Sequence, residues 1–346
     1  MASATIEDQR EKVGFWFSEY QSKGIKTDVL LQSIHHSTQS EYQQIDVIET
    51  AFGKTLVTDG KTQSAECDEF IYHETLVQPS LFLRGMIASK DNTNGEASVS
   101  PKKVLIGGGG ELATAREVLR HTSVERCVMV DLDEEVVNVS KQHLPTWGNN
   151  VAEDERFELV IGDAYAYINN TEEKFDLIIM DISDPIEAGP GIALYTQEFY
   201  QIALTKLSQN GVFVTQAGNA NVLLTHDGLN ESSFPSIANT LDSVFDCTIP
   251  YSVSIPSFQT TWAFVLAFNV DDISGHSSSE IINYVKNVPE EVVDKRIEAC
   301  INDGVNVLKH YDGCTHRHMF SLVKSMRTKL AMDKRIMTKA NPIFMF

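Results

Sequence analysis

From Lys103 onward the chain repeats one texture, in which short and mainly apolar runs are separated by stretches long enough for a helix. The runs are Val104–Ile106, Cys127–Val130, Phe157–Ile161, Leu177–Met180 and Gly211–Thr215, with a later one at Trp262–Phe268. Strands apolar on both faces and spaced in this way predict an α/β fold, a mostly parallel sheet with helices on both faces. Upstream the texture differs. Tyr42-Gln-Gln-Ile-Asp-Val-Ile-Glu-Thr50 alternates apolar with polar positions, and Phe52–Thr58 ends at Asp59-Gly60, a strong hairpin signal. Glu66 to Leu83 predicts a helix with Phe70, Ile71, Leu76 and Val77 at helix-compatible spacing, and Ser89–Pro101 is polar and rich in turn residues. The chain therefore divides into an N-terminal β-hairpin-rich domain (1–90), a linker (91–101) and an α/β domain (102–346) with helical elements around 278–310 and an apolar, docked C-terminal tail.

Composition narrows the function. Of 346 residues 42% are hydrophobic and 22% charged, as in an ordinary globular chain. No apolar stretch reaches the roughly 18 residues of a membrane span, and the N-terminus lacks the features of a secretory signal. Five scattered cysteines without CxxC pairing point to a reducing compartment, with the cytoplasm as the expected location. A formal net charge of −20 argues against nucleic-acid binding and suits a cationic small substrate.

The candidate chemistry lies at strand ends. Asp181-Ile-Ser-Asp-Pro185 follows the apolar run Phe175–Met180, where an open α/β sheet binds its ligand. Two carboxylates there can hold an ammonium group, and one can take a proton from an amine. Strand Val104–Ile106 runs into Gly107-Gly-Gly-Gly110-Glu111-Leu-Ala113, so that Gly108, Gly110 and Ala113 fit GxGxxA, with Asp131 about 21 residues on. That acid suits both ribose hydroxyls of a nucleoside, and Asp163 in Gly162-Asp163-Ala164 suits an adenine amino group. Glu111 inside the glycine turn would repel a pyrophosphate, which favours an adenosyl-sulfonium ligand over NAD. Cys314, His316 and His318 alternate on a short segment, a poor metal-ligand pattern, and no metal is expected.

These residues, with Asp68-Glu-Phe-Ile-Tyr72-His73-Glu74, Tyr311-Asp-Gly-Cys-Thr-His316 and Asn341-Pro-Ile-Phe344, resemble the polyamine aminopropyltransferases, the spermidine/spermine synthase family, over about residues 12–346. The resemblance implies a Rossmann-like, methyltransferase-type sheet. It also implies transfer of an aminopropyl group from decarboxylated S-adenosylmethionine, a co-substrate and no separate cofactor, to a polyamine, and a homodimer or homotetramer. Residue by residue it implies Asp181 as proton acceptor. Asp184, Glu111, Tyr72, His73, Glu187, Gln216 and Trp262 fall at the amine, and Gln44, Gly108, Gly110, Asp131, Leu132, Asp163, Ala164 and Pro190 at the nucleoside. Glu111 in the turn and the long Asp184-Pro-Ile-Glu187-Ala-Gly-Pro190 loop look like the thermospermine synthase branch, although Leu112 is unusual even there. Spermidine or spermine synthesis stays open as a rival. A methyltransferase is a remoter one, since it would not need paired acids at 181 and 184.

Overall fold

The structure is a computed structural model that describes residues 14–22, 24–90, 100–185, 189–220, 232–269, 277–302 and 306–344. Strands β7 (Lys103–Gly108), β8 (Arg126–Asp131), β9 (Phe157–Ile161), β10 (Phe175–Asp181) and β11 (Leu207–Asn219) pair in parallel. They continue through β13 (Thr260–Phe268), antiparallel to β11, and β12 (Cys247–Ile255), antiparallel to β13, in the order β12-β13-β11-β10-β7-β8-β9. The mostly parallel sheet expected from the apolar runs is thus present. Strand β12 escaped the reading because it alternates: Cys247, Ile249, Tyr251, Val253 and Ile255 are buried while the residues between them are not. It pairs only with β13, and an edge strand tolerates Pro250.

Leu105, Val128, Ile178 and Phe213 turn to one face of the sheet, and Val104, Ile106, Met129, Ile179 and Val214 to the other. Each face buries a separate apolar core, so every central strand is hydrophobic on both sides. Helix α1 (Glu69–Lys90) packs against α2 (Ala113–Leu119), β11 and β12. The helix expected from Glu66–Leu83 therefore extends to Lys90, and it lies on the large sheet although the sequence groups it with the hairpins. Its buried face, Leu76, Val77, Leu83 and Met86, is apolar and joins the core on one side of that sheet.

The N-terminal part comprises the hairpin β1 (Phe15–Ser22)–β2 (Ile25–Leu31) and the antiparallel sheet β3 (Ser33–Gln39)–β4 (Gln44–Thr50)–β5 (Gly53–Thr58)–β6 (Lys61–Ala65). The Asp59-Gly60 turn joins β5 to β6 with positive φ at both residues, 48° and 75°, the geometry a two-residue hairpin favours. Ile45, Val47 and Leu56 of this sheet share a core with Ala113, Val136, Val139, Leu144 and Trp147, which fixes it over the glycine turn. The C-terminal tail is tied down by backbone: Gln197 N–H donates to Met337 C=O at 2.8 Å, and Met337 N–H to Thr240 Oγ1 at 2.9 Å.

Candidate active site

The sheet order reverses at β7, whose neighbours are β8 on one side and β10 on the other. A crevice opens at such a switch point, outside the carboxyl ends of the strands. Gly108 of β7 stands in register with Asp181 of β10, and Gly109 N–H donates to the Asp181 carbonyl at 2.9 Å. Gly108 has φ 81°, and a Cβ there would lie 2.0 Å from that carbonyl oxygen, so the close approach requires glycine. The glycine turn and Asp181, 73 residues apart, are thereby one structural unit.

A cavity of about 440 Å³ lies over this unit, closed on the far side by the N-terminal domain. Tyr72, Gly108, Gly110, Glu111, Asp131, Leu132, Asp163, Ala164, Asp181, Asp184, Gln216 and Trp262 all line it, so most of the candidate residues converge. Asp181 Oδ1 accepts from the Tyr72 hydroxyl at 2.7 Å and Oδ2 from the Thr114 hydroxyl at 2.5 Å. Burial, with the Glu111 charge added to it, pushes Asp181 up to about 6 despite these donors and the positive His73. Asp184 accepts from Gln216 Nε2 at 3.0 Å, and burial raises it to about 6. Asp131 accepts from Asp133 N–H at 2.9 Å, yet burial and the charges of Glu111, Asp133 and Asp181 raise it to about 7. Asp163 caps the helix Ala164–Asn170 through Tyr165 N–H and keeps its side chain exposed at the rim. Carboxylates pushed upward in this way are relieved by a bound cation, which returns them to the ionised form.

Two expectations change, and the unusual Leu112 finds its explanation. His73 does not reach the cavity: it is fully buried, with Nδ1 3.0 Å from Glu69 Oε2 and Nε2 3.2 Å from Glu111 Oε1. Burial alone would lower it, but the two carboxylates outweigh burial and push it up to about 10. As a cation behind Glu111 it holds that carboxylate below its usual range, against the effect of burial. Arg116 continues the chain of charges, forking onto Glu69 at 3.0 and 2.8 Å and onto Glu117 at 2.8 Å. Gln44 is the second change. Its amide turns to Ser37 and Asp46, while the neighbouring Gln43 lines the cavity and donates to Asp133 Oδ2 at 3.0 Å. One step along an extended chain reverses the side-chain direction, and Gln43-Gln44 is a pair whose members sequence alone does not distinguish. Leu112 takes the left-handed φ of 71° and buries its side chain beside Gly148, which accounts for its place in the turn. Pro190 opens the turn Pro190–Tyr195 between Gly189 and Gly191, both on the cavity wall. Glu187 lies outside the described residues.

Sequence reasoning missed Thr114, Gln43, and Glu19 on β1, whose carboxylate accepts from Thr62 N–H at 3.2 Å at the cavity edge. It also missed the Glu69–Arg116 pair. Thr114 carried a signal, since the first turn of the helix after a glycine loop faces the ligand; the others carried none. His316 is buried with one nitrogen on the Tyr311 hydroxyl and the other on the Val285 carbonyl, both at 2.8 Å, so neither is open to a metal.

Comparison with known proteins gives the family. Residues 69–274 match the spermine/spermidine synthase domain, and residues 15–66 the spermidine synthase tetramerisation domain. The chain belongs to the spermine/spermidine synthase family, and its activity is that of a polyamine aminopropyltransferase. It is 37% identical over 332 residues to a polyamine aminopropyltransferase of Aeropyrum pernix, covering 95% of each chain. It is 42% identical over 289 residues to the thermospermine synthase ACAULIS5 of Arabidopsis thaliana, covering 83% of this chain and 75% of that one. A spermidine synthase crystallised with the transition-state analogue AdoDATO superposes with a TM-score of 0.75 at 28% identity, over 92% of this chain and 96% of the other. The tetramerisation-domain match accords with the homo-oligomer expected from the sequence. Among the described residues no helix is long and apolar enough to cross a membrane.

Proposed function

We propose that the protein transfers the aminopropyl group of decarboxylated S-adenosylmethionine to spermidine, giving thermospermine and methylthioadenosine, with Asp181 as proton acceptor. The observation that carries this reading is the position of Asp181 on the cavity wall, held by two hydroxyls, with its acidity shifted to about 6. Such a group is ionised at neutral pH yet basic enough to receive a proton. The ammonium of the acceptor amine gives its proton to Asp181 directly or through a water. The freed lone pair attacks the methylene carbon next to the sulfonium, the C–S bond breaks with its electron pair going to sulfur, and a neutral thioether leaves.

Asp131 and Gln43 bind the ribose, Asp163 and Ala164 the adenine, and the glycine turn lets the backbone pass close to the nucleoside. Glu111, kept ionised by His73, and Asp184 hold ammonium groups, while Tyr72 orients Asp181 and Trp262 walls the methylene chain. By the resemblance alone, Glu187 is assigned to the amine and Pro190 to the nucleoside. Holding both cations in register contributes most of the rate, since fixed orientation can supply roughly 7–11 kcal/mol of a bimolecular barrier. The triamine acceptor is supported by the Arabidopsis relative and by the length of the loop from Asp184 to Pro190 in the sequence. The five free cysteines fit a cytoplasmic setting.

The test supplies purified protein with decarboxylated S-adenosylmethionine and either putrescine or spermidine, and resolves thermospermine from spermine by chromatography. Thermospermine from spermidine is the expected product. Turnover with putrescine alone would keep the reaction and overturn the acceptor, and a spermine product would overturn the regiochemistry.

A further inference from the structure

The cavity is lined by eight acidic residues and, among the described residues, by a single basic one, Lys61. A cation in the wall of a cation-binding site works against the ligand unless it selects between ligands. Lys61 opens β6 directly after the Asp59-Gly60 turn, and its ammonium donates to the Tyr20 carbonyl on β1. The next residue, Thr62, donates through its N–H to Glu19 of the same hairpin. Lys61 forms no ion pair among the described residues, so its charge is anchored by a carbonyl and is not cancelled by a carboxylate in contact.

The charges of the cavity fall into two groups. Asp131, Glu111 and Asp181 act on one another around the glycine turn, where the nucleoside and the reacting carbon belong. Asp184 instead feels Lys61 and Glu19, and Glu19 feels Lys61. An acceptor whose reacting nitrogen sits at Asp181 must run its chain past Asp184 toward the β1–β2 hairpin. There Asp184, Glu19 and Asp59, which lines the cavity two residues before Lys61, leave with Lys61 two net negative charges, which match the two further ammonium groups of a triamine.

We propose that the Lys61 ammonium limits the length and charge of the acceptor amine, admitting a triamine and rejecting a tetraamine whose additional ammonium would be driven against it. This rests on the aminopropyl-transfer reading above and adds to it the element that ends the amine site. Like charges brought together on binding are a standard way to reject a wrong partner.

The experiment compares the full-length wild type with Lys61→Met, Lys61→Gln and Lys61→Arg, using decarboxylated S-adenosylmethionine with spermidine and with spermine as the tetraamine. The quantity read is the ratio of kcat/KM for the tetraamine to that for the triamine. Met and Gln should raise this ratio by about tenfold or more, and Arg should leave it within about threefold of wild type. Gln retains a donor for the Tyr20 carbonyl, so the inference stays testable if Met proves insoluble. An unchanged ratio in Gln, with methylthioadenosine still released, would overturn the role of Lys61 and leave the reaction standing. A rise in Arg equal to that in Gln would also overturn it, because charge would then not be the cause. Turnover of the wild type with putrescine alone, with methylthioadenosine released, would leave the reaction standing and overturn both the thermospermine assignment and the triamine limit ascribed to Lys61. Failure of the wild type to release methylthioadenosine with any amine would overturn both readings.

Discussion

Replacement of Asp181 by Asn tests the mechanism most directly. Asn has the same shape and keeps one oxygen for either the Tyr72 or the Thr114 hydroxyl, which lie 2.7 and 2.5 Å from the two carboxylate oxygens. It cannot accept the ammonium proton at neutral pH. An alkyl ammonium of pKa about 10.4 is neutral in roughly one molecule in a thousand at pH 7.5. Without a local acceptor the reaction depends on that fraction, so kcat should fall by about 10²- to 10³-fold, within the range for lost general-base help. A hundredfold loss corresponds to about 2.7 kcal/mol of barrier. The assay is methylthioadenosine release at saturating spermidine between pH 5 and 9, with methylthioadenosine binding measured separately. Measured in addition at subsaturating spermidine, kcat/KM of the wild type should rise with pH through about 6 as Asp181 of the free protein ionises, and this acidic limb should vanish in the variant. Activity within a few-fold of wild type, or an unchanged acidic limb, would remove Asp181 from the role of proton acceptor.

Further outcomes follow from the same geometry. Arg116→Met leaves Glu69 and Glu117 buried without their shared guanidinium and should destabilise the protein by about 3 kcal/mol or more in urea unfolding; a loss below about 1 kcal/mol would show that the network does not need its cation. Leu112→Gly relieves about 1–2 kcal/mol of left-handed strain but gives up a buried leucine worth about 2–5 kcal/mol. A net loss of about 1–3 kcal/mol is expected, and a more stable variant would show that strain outweighs packing. Asp184 is raised to about 6 in the fold, above its ordinary value near 3.9. It therefore favours the folded free protein at low pH and loses that contribution as pH rises through 6. The Tm of Asp184→Asn relative to wild type should accordingly increase between pH 5 and 7.5, and a constant difference would refute the shift.

The pattern of apolar runs was enough for the parallel sheet, because a strand buried on both faces has no choice but to be hydrophobic throughout. The Asp59-Gly60 turn was legible for an equally local reason: it needs left-handed backbone at both residues. Asp131, Asp163 and Asp181 were legible as chemistry because Asp131 and Asp181 end strands and Asp163 follows one by two residues, and strand ends of such a sheet face one crevice whatever the rest of the chain does. In each case a short stretch of sequence meets its physical constraint within itself.

Tertiary structure decided everything that depends on a partner distant in sequence. His73 and Tyr72 are adjacent on one helix, yet Tyr72 reaches Asp181 in the cavity while His73 is shut between Glu69 and Glu111. Gln43 is placed by Asp133, 90 residues away, and nothing in the Gln43-Gln44 pair announces which amide turns inward. Helix α1 belongs to the large sheet because that is where an apolar face of its size finds cover. Lys61 reads in sequence as an ordinary strand-end lysine, and becomes a cation inside an acidic cavity only when the hairpin folds over β6. Local periodicity and turn stereochemistry are written along the chain. Charge environment, burial and the direction in which a side chain finally points are properties of the assembled core, since they depend on what other segments bring to the same place.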